Sequence, residues 1–242
     1  MSQHLNSSIS PYRPHLFVLR KLSPSGFTLV ELLVVIGIIA ILAGVALGPI
    51  TSGIQRAKES AGMQAVRSIN VLCFSYANDH NQTYLPGASP SGSPSTSTSE
   101  GIASALLNNN YTSDATIFAI TGAHQYTGSS APYSLKSNNV DFDFLAAIGN
   151  TGITATASDQ LPIVFSDLGN SGTIIGPVNG TPGVVIGLPS SAPFGQYGVA
   201  VAYKSNSAQF CKATLSAGGT RVDNFISPSF TETWLNYTVI KP

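Results

Sequence analysis

An almost uninterrupted apolar run near the N-terminus is followed by a periodic one. Between Phe27 and Ile50 the only charged residue is Glu31. Because about 20 apolar residues are enough to cross the hydrocarbon core of a bilayer, the sequence predicts a transmembrane helix over residues 27–50. A secretory signal carries its small-residue cleavage site after the apolar core. Here the small residue, Gly26, precedes the core, which argues against an ordinary secretory signal.

The period changes to three and four residues over positions 51–79, which predicts an amphipathic stem helix with one buried face. The apolar positions that carry this period are Ile54, Ala57, Ala61, Ala65, Ile69, Leu72, Cys73 and Tyr76. Gly48 and Pro49 lie at the join between the two patterns. Proline removes a backbone donor, so the sequence predicts a helix kink at this point.

Residues 80–100 contain a turn-forming cluster and then a tract rich in Pro, Gly, Ser and Thr. This composition predicts a linker or exposed loop, and a glycosylated loop is the alternative. The remaining residues, 101–242, are expected to form a globular head.

Within the head, short helices are predicted over 102–107 and 142–148. Runs that alternate or are rich in β-branched residues predict strands. These strands are Ile163–Ser166, Thr173–Ile175, Val184–Leu188, Gly198–Tyr203 and Ala208–Ala213, with a hairpin turn at 204–207. We expect the sheet to cover the stem helix. The predicted fold class is therefore α+β, a long N-terminal helix packed against a C-terminal antiparallel sheet.

Small residues recur at four-residue spacing in the apolar run, at Ala40, Gly44 and Gly48. Such a stripe lets helix backbones approach closely, so these residues are candidates for helix packing between copies. Glycine and alanine are common in membrane spans in any case, which leaves ordinary lipid-facing positions as the alternative.

Charge is unevenly distributed, although the formal net charge is zero. Residues 1–26 contain Arg13, Arg20 and Lys21 and no acidic residue. Positive flanks stay on the cytoplasmic side, so we expect a cytoplasmic N-terminus and an external head. The rest of the chain has more acidic than basic residues, which argues against a nucleic-acid partner.

The segment Gly26-Phe27-Thr28-Leu29-Val30-Glu31-Leu32 resembles the cleavage and methylation motif of type IV prepilins and type II secretion pseudopilins. The resemblance implies that 1–26 is a leader and that prepilin peptidase cuts between Gly26 and Phe27. It further implies N-methylation of Phe27 and pairing of Glu31 with the N-terminal amine of an adjacent subunit. Proteins of this family carry helix breakers near the position of Gly48-Pro49, and the resemblance implies that the helix melts locally there on assembly. The leader is long for the family, which leaves the true start codon open.

The family's function is structural, so the resemblance implies a filament subunit of the bacterial inner membrane. Its partners would be prepilin peptidase/methyltransferase, other pilin or pseudopilin subunits, an inner-membrane assembly platform and the lipid bilayer. A membrane-anchored exported binding protein that does not polymerise is the alternative.

Chemistry-bearing motifs are sparse. The sequence contains no nucleophile elbow, phosphate loop, dinucleotide fingerprint or H-E-x-x-H, so no catalytic residue, metal site or cofactor is expected. Asp141 and Asp143 place two carboxylates on one side of an extended segment. We interpret them as solvated loop acids, with a calcium site as the alternative. Cys73 and Cys211 either form a disulfide in an exported head or remain separate buried thiols.

Overall fold

The computed structural model describes residues 26–85, 97–120, 126, 128, 131–149, 152–178, 180–216, 219–230 and 232–242. The basic residues of the predicted leader, and most of the Pro/Gly/Ser/Thr tract, lie outside the described residues. The chain divides into two compact units, Met1–Pro49 and Ile50–Pro242. The boundary between them falls within the first helix.

Helix α1 is a single element, Leu29–Asp79, of 51 residues, and it contains Pro49. Its apolar first part, Leu29–Pro49, belongs to the first unit, and its side chains are exposed throughout. The helix ends at Asp79, which is where the predicted stem helix ends.

The stem part of α1, within the second unit, buries one face as predicted, but the face is rotated relative to the prediction. Ile69, Cys73 and Tyr76 are fully buried, whereas Ile54, Ala57 and Ala61 are exposed. The buried face is completed by Gly62, Val66, Asn70 and Ala77. Gly62 is required by close packing, because a Cβ there would lie 2.2 Å from Cζ of Phe194.

Within the described ranges, eight strands form one antiparallel sheet in the order β3-β4-β7-β6-β5-β2-β1-β8. Their bounds are β1 Phe142–Ala147, β2 Pro162–Ser166, β3 Thr173–Ile175, β4 Gly183–Ile186, β5 Gly198–Tyr203, β6 Ala208–Ser216, β7 Gly219–Ile226 and β8 Tyr237–Ile240. β5 and β6 form a hairpin in which Ala202 faces Ala208 and Gly198 faces Lys212. The antiparallel sheet and the predicted hairpin turn at 204–207 are therefore confirmed.

The sheet curls strongly. Phe165 on β2 and Phe225 on β7 make an edge-to-face contact with ring centroids 5.4 Å apart. These strands are third neighbours in the sheet order, so in a flat sheet they would be about 14 Å apart at the usual strand spacing. The hydroxyl of Tyr203 on β5 also donates to the carbonyl oxygen of Phe225 at 2.8 Å.

The curl brings the two outer strands of the order, β3 and β8, close together. Just after β8, Lys241 Nζ donates to the carbonyl oxygens of Gly169 (2.7 Å) and Gly172 (3.0 Å), which precede β3. Trp234, just before β8, lies against Gly176, just after β3, where a Cβ would come within 2.0 Å of the indole Cγ. These contacts tie the segments that flank β3 and β8 to each other.

Helix α2, Ser99–Asn108, closes another side of the head. Its first residue is tied to the last strand, since Ser99 Oγ donates to the carbonyl oxygen of Ile240 at 2.8 Å. The N-cap Thr98 accepts a bond from the amide of Gly101. The stem is tied to the sheet by Asn70, whose Nδ2 donates to the carbonyl oxygen of Tyr203 at 3.0 Å.

Three parts of the head differ from prediction. The predicted helix over 142–148 is wrong: these residues form β1, which pairs with both β2 and β8 and is almost wholly buried. A short apolar run has no period that separates a buried strand from a buried helix. β7 and β8 were not predicted, and β6 continues to Ser216.

Candidate processing and assembly site

The N-terminus of α1 is capped by reciprocal hydrogen bonds between Thr28 and Glu31. Glu31 Oε2 accepts from the backbone amide of Thr28 at 2.8 Å and from its hydroxyl at 2.7 Å. The hydroxyl of Thr28 in turn accepts from the amide of Glu31 at 3.3 Å. This is a capping box, in which an N-cap Thr and a Glu three residues later satisfy each other's backbone donors.

The capping box places the preceding peptide bond outside the helix. Gly26, Phe27 and Thr28 have no regular structure, and the Phe27 side chain is 71% exposed. Gly26 has no neighbouring atom within 4 Å of where a Cβ would lie. The Gly26–Phe27 bond, at which cleavage was predicted, therefore lies before the first helical turn.

Thr28 is a helix-capping residue that the sequence prediction did not single out. The signal for it was present as Thr-x-x-Glu immediately before an apolar run, which is the capping-box pattern. Reading that pattern would have fixed the helix start at Leu29, where the structure has it.

The comparison with protein families matches this same segment. Residues 23–47 fit the model of the prokaryotic N-terminal methylation motif. The chain carries the prepilin-type cleavage and methylation signature. The signature covers Gly26, Phe27, Glu31 and most of the apolar run, and it does not extend into the head. No curated protein and no solved structure matches the chain.

The prepilin signature leads directly into a helix suited to a membrane. Among the described residues, one helix, Leu29–Asp79, is long and apolar enough to cross a bilayer, with a best-window mean hydropathy of 2.8 and none of that window buried. Leu29, Ile41 and Val45 are each more than two-thirds exposed. The signature and this helix together indicate membrane anchoring.

The small-residue stripe lies on the exposed part of the same helix. Ala40, Gly44 and Gly48 are all exposed, and a Cβ at either glycine would meet no other atom within 4 Å. Among the described residues, no atom therefore packs against the Cβ positions of Gly44 and Gly48. The role of the stripe in packing between copies stays a prediction.

Asp141 and Asp143 are not solvated loop acids, because both are buried. Asp141 Oδ2 accepts from the amide of Ile120 at 2.7 Å, and Asp143 Oδ2 accepts from the amide of Leu168 at 3.0 Å. Burial, and to a lesser extent the nearby Asp167, raises the pKa of Asp143 well above its ordinary value. Within the described residues no group of three or more His, Cys, Asp or Glu is placed to hold a metal.

The two cysteines are free thiols in the structure, and both are buried. Burial raises the pKa of Cys73 to about 12 and that of Cys211 to about 11. The thiolate is the reactive form, so both side chains are chemically inert in the folded head at neutral pH.

Proposed function

We propose that this protein is a structural subunit of a type IV pilus-like or type II secretion pseudopilus filament. Prepilin peptidase removes residues 1–26 by cutting the Gly26–Phe27 bond, and Phe27 is then N-methylated. The protein is a single-pass protein of the bacterial inner membrane, with its N-terminus cytoplasmic and its head outside. The observation that carries the proposal is the prepilin signature at residues 23–47, joined to an exposed apolar helix.

The apolar helix can exchange lipid for the spans of neighbouring copies. Its apolar side chains, which are exposed in the described structure, transfer favourably out of water into lipid. From lipid they can move to the spans of neighbouring copies at little cost, because lipid and side chains are similarly apolar. Association then depends on close packing, for which the exposed stripe of Ala40, Gly44 and Gly48 is suited.

Glu31 supplies the polar element of this assembly. A carboxylate at the end of a membrane span is costly and is usually paired. Cleavage after Gly26 creates a positive amine on Phe27, four residues from Glu31 along the chain. In a side-by-side array the amine of one copy neutralises Glu31 of the next, and the capping box with Thr28 holds that carboxylate at the helix start.

The capping role and the charge-pairing role of Glu31 can be separated by substitution. Glu31→Gln keeps an oxygen that can accept from Thr28 but removes the charge, whereas Thr28→Ala removes the cap and keeps the charge. We expect Glu31→Gln and Glu31→Ala to be cleaved normally and to be depleted from filaments. Thr28→Ala is expected to be cleaved and incorporated. Cleavage is followed by the mass of the chain, and incorporation by immunoblotting of sheared filaments.

Normal incorporation of Glu31→Gln would contradict charge pairing. If the cleaved wild-type chain remains dispersed as monomers in the membrane, the filament proposal itself fails, and an anchored exported binding protein becomes the better description.

A further inference from the structure

Carboxylates from β1 and from the end of β2 share one face of the sheet. Phe142 on β1 faces Ser166 on β2. The antiparallel register continues by one residue, since the amide of Asp167 donates to the carbonyl oxygen of Asp141 at 2.8 Å. Residues that face each other across two strands, and residues two apart on one strand, lie on the same side of a sheet. Asp141, Asp143 and Asp167 therefore lie on one face.

A lysine reaches the same face from the other neighbour of β1. Continuing the pairing of β1 with β8 by one residue places Lys241 opposite Asp143. The ammonium group of Lys241 donates to the carbonyl oxygens of Gly169 and Gly172, at 2.7 and 3.0 Å. The amide of Gly169 donates in turn to Oδ1 of Asp167 at 2.7 Å. The segment that precedes β3 and the residue after β8 thus meet beside Asp143 on β1.

Asp143 is the most deeply buried acid of this cluster, with no exposed surface. Its Oδ2 accepts from the amide of Leu168 at 3.0 Å, whereas its buried Oδ1 has no donor among the described residues. The carboxyl group of Asp167 lies within hydrogen-bonding reach of Asp143. Asp141 Oδ2 is bonded to the amide of Ile120 at 2.7 Å. Ionised carboxylates only accept hydrogen bonds, so the contact between Asp143 and Asp167 lacks a donor unless one of them carries a proton.

The other charged groups near β1 are few. Among the elements that pack against β1, α2 contains Glu100 and no other charged residue, and β2 contains none. The titratable residue of β8 is Tyr237, which faces Ala147 at the other end of β1. Lys241 is therefore the base that faces Asp143, and its charge is matched by Asp167 alone.

We propose that Asp143 is protonated in the folded head at pH values where an exposed aspartate is ionised, and that it donates this proton to Asp167. Burial and the neighbouring Asp167 raise the pKa of Asp143, against the opposing effects of the Leu168 amide and Lys241. Loss of the proton leaves two negative charges in contact at a buried site, which is costly. The contact that ties β1 to the segment before β3 is therefore sensitive to pH. This inference concerns the folded head and does not depend on filament formation.

The expected pH dependence has a definite sign. In the unfolded chain Asp143 has an ordinary pKa of about 3.9. Because its folded-state pKa is higher, the stabilisation from this group is complete below about pH 4 and is lost as the pH rises to the folded-state pKa. Over that interval the folded state binds one more proton than the unfolded state. The unfolding equilibrium constant therefore rises by up to about tenfold per pH unit.

Asp143→Asn tests the proposal, because the amide keeps an acceptor for Leu168 and a donor for Asp167 but does not titrate. Denaturant unfolding of the full chain in detergent, followed by Trp234 fluorescence, compares it with the wild type from about pH 4 to pH 8. We expect the unfolding constant of the wild type to rise relative to that of Asp143→Asn by up to about tenfold per pH unit. Asp223→Asn, at a side chain that is 46% exposed, is the matched control, and its profile is expected to run parallel to the wild type.

Parallel profiles for the wild type and Asp143→Asn would overturn the proposal. Infrared spectroscopy provides a second readout that needs no variant to fold. At about pH 6, where exposed carboxyl groups are ionised, the folded wild type is expected to show the band of a protonated carboxyl group. Absence of that band would contradict a bound proton. Added Ca²⁺ is expected to leave wild-type stability unchanged, and stabilisation by Ca²⁺ would overturn the proposal, since a cation would then bridge the two carboxylates.

Discussion

The apolar residues of this chain have two different fates. In the first part of α1, from Leu29 to Leu47, the large apolar side chains are between 43% and 79% exposed. In the head, Phe142, Phe144 and Phe165 are completely buried. The head satisfies its apolar side chains within one chain, through a curled sheet closed by α2 and the stem. The apolar helix requires an environment from outside, which under the proposed function is lipid before assembly and other copies after it.

The largest expected effect is a loss of head stability when a buried apolar side chain is removed. Phe165→Ala removes a ring that contacts Phe225 across the curled sheet, so it should destabilise the head by about 3–5 kcal/mol. Leu42→Ala, at a residue that is 64% exposed, should leave head stability unchanged. Denaturant unfolding of the full chain in detergent, followed by the fluorescence of the single tryptophan, Trp234, measures both. Equal losses of unfolding free energy for the two variants would contradict the distinction between the head core and the exposed apolar helix.

A smaller effect is expected where the stem meets the head. Gly62→Val places carbon atoms where Phe194 already lies, so we expect a loss of about 1–3 kcal/mol from overpacking. Gly53→Val is the matched control, because it lies on the same helix with nothing within 4 Å of its Cβ position. The same unfolding measurement applies. If the two substitutions have the same effect, the stem is not part of the head core.

The sequence pattern predicted the elements whose side chains repeat with a clear period. β5 and the hairpin turn after it follow from alternating residues and a turn cluster, and the apolar helix follows from its length. The predicted buried face of the stem is rotated about the helix axis relative to the observed one. The hydrophobic pattern did not select Gly62 and Asn70, because neither has a large apolar side chain. Gly62 is there to admit Phe194, and Asn70 to bond Tyr203.

Other features depend on contacts between residues that are distant in the sequence. β1 was predicted as a helix because a strand buried on both faces has no alternating pattern. Asp143 was interpreted as a surface acid, since nothing local indicates that the curled sheet will enclose it. At the processing site, by contrast, the signature is local, and even the overlooked Thr28 was encoded by a four-residue pattern.

The central claim concerns one peptide bond, between Gly26 and Phe27. It is tested most directly by N-terminal mass spectrometry of the membrane-extracted protein produced together with prepilin peptidase. The account predicts a mature chain that begins with N-methylated Phe27, with cleavage dependent on the peptidase. A chain that retains its leader, or one that is cleaved after the apolar helix, would contradict it, because the helix would then be an ordinary anchor or export signal.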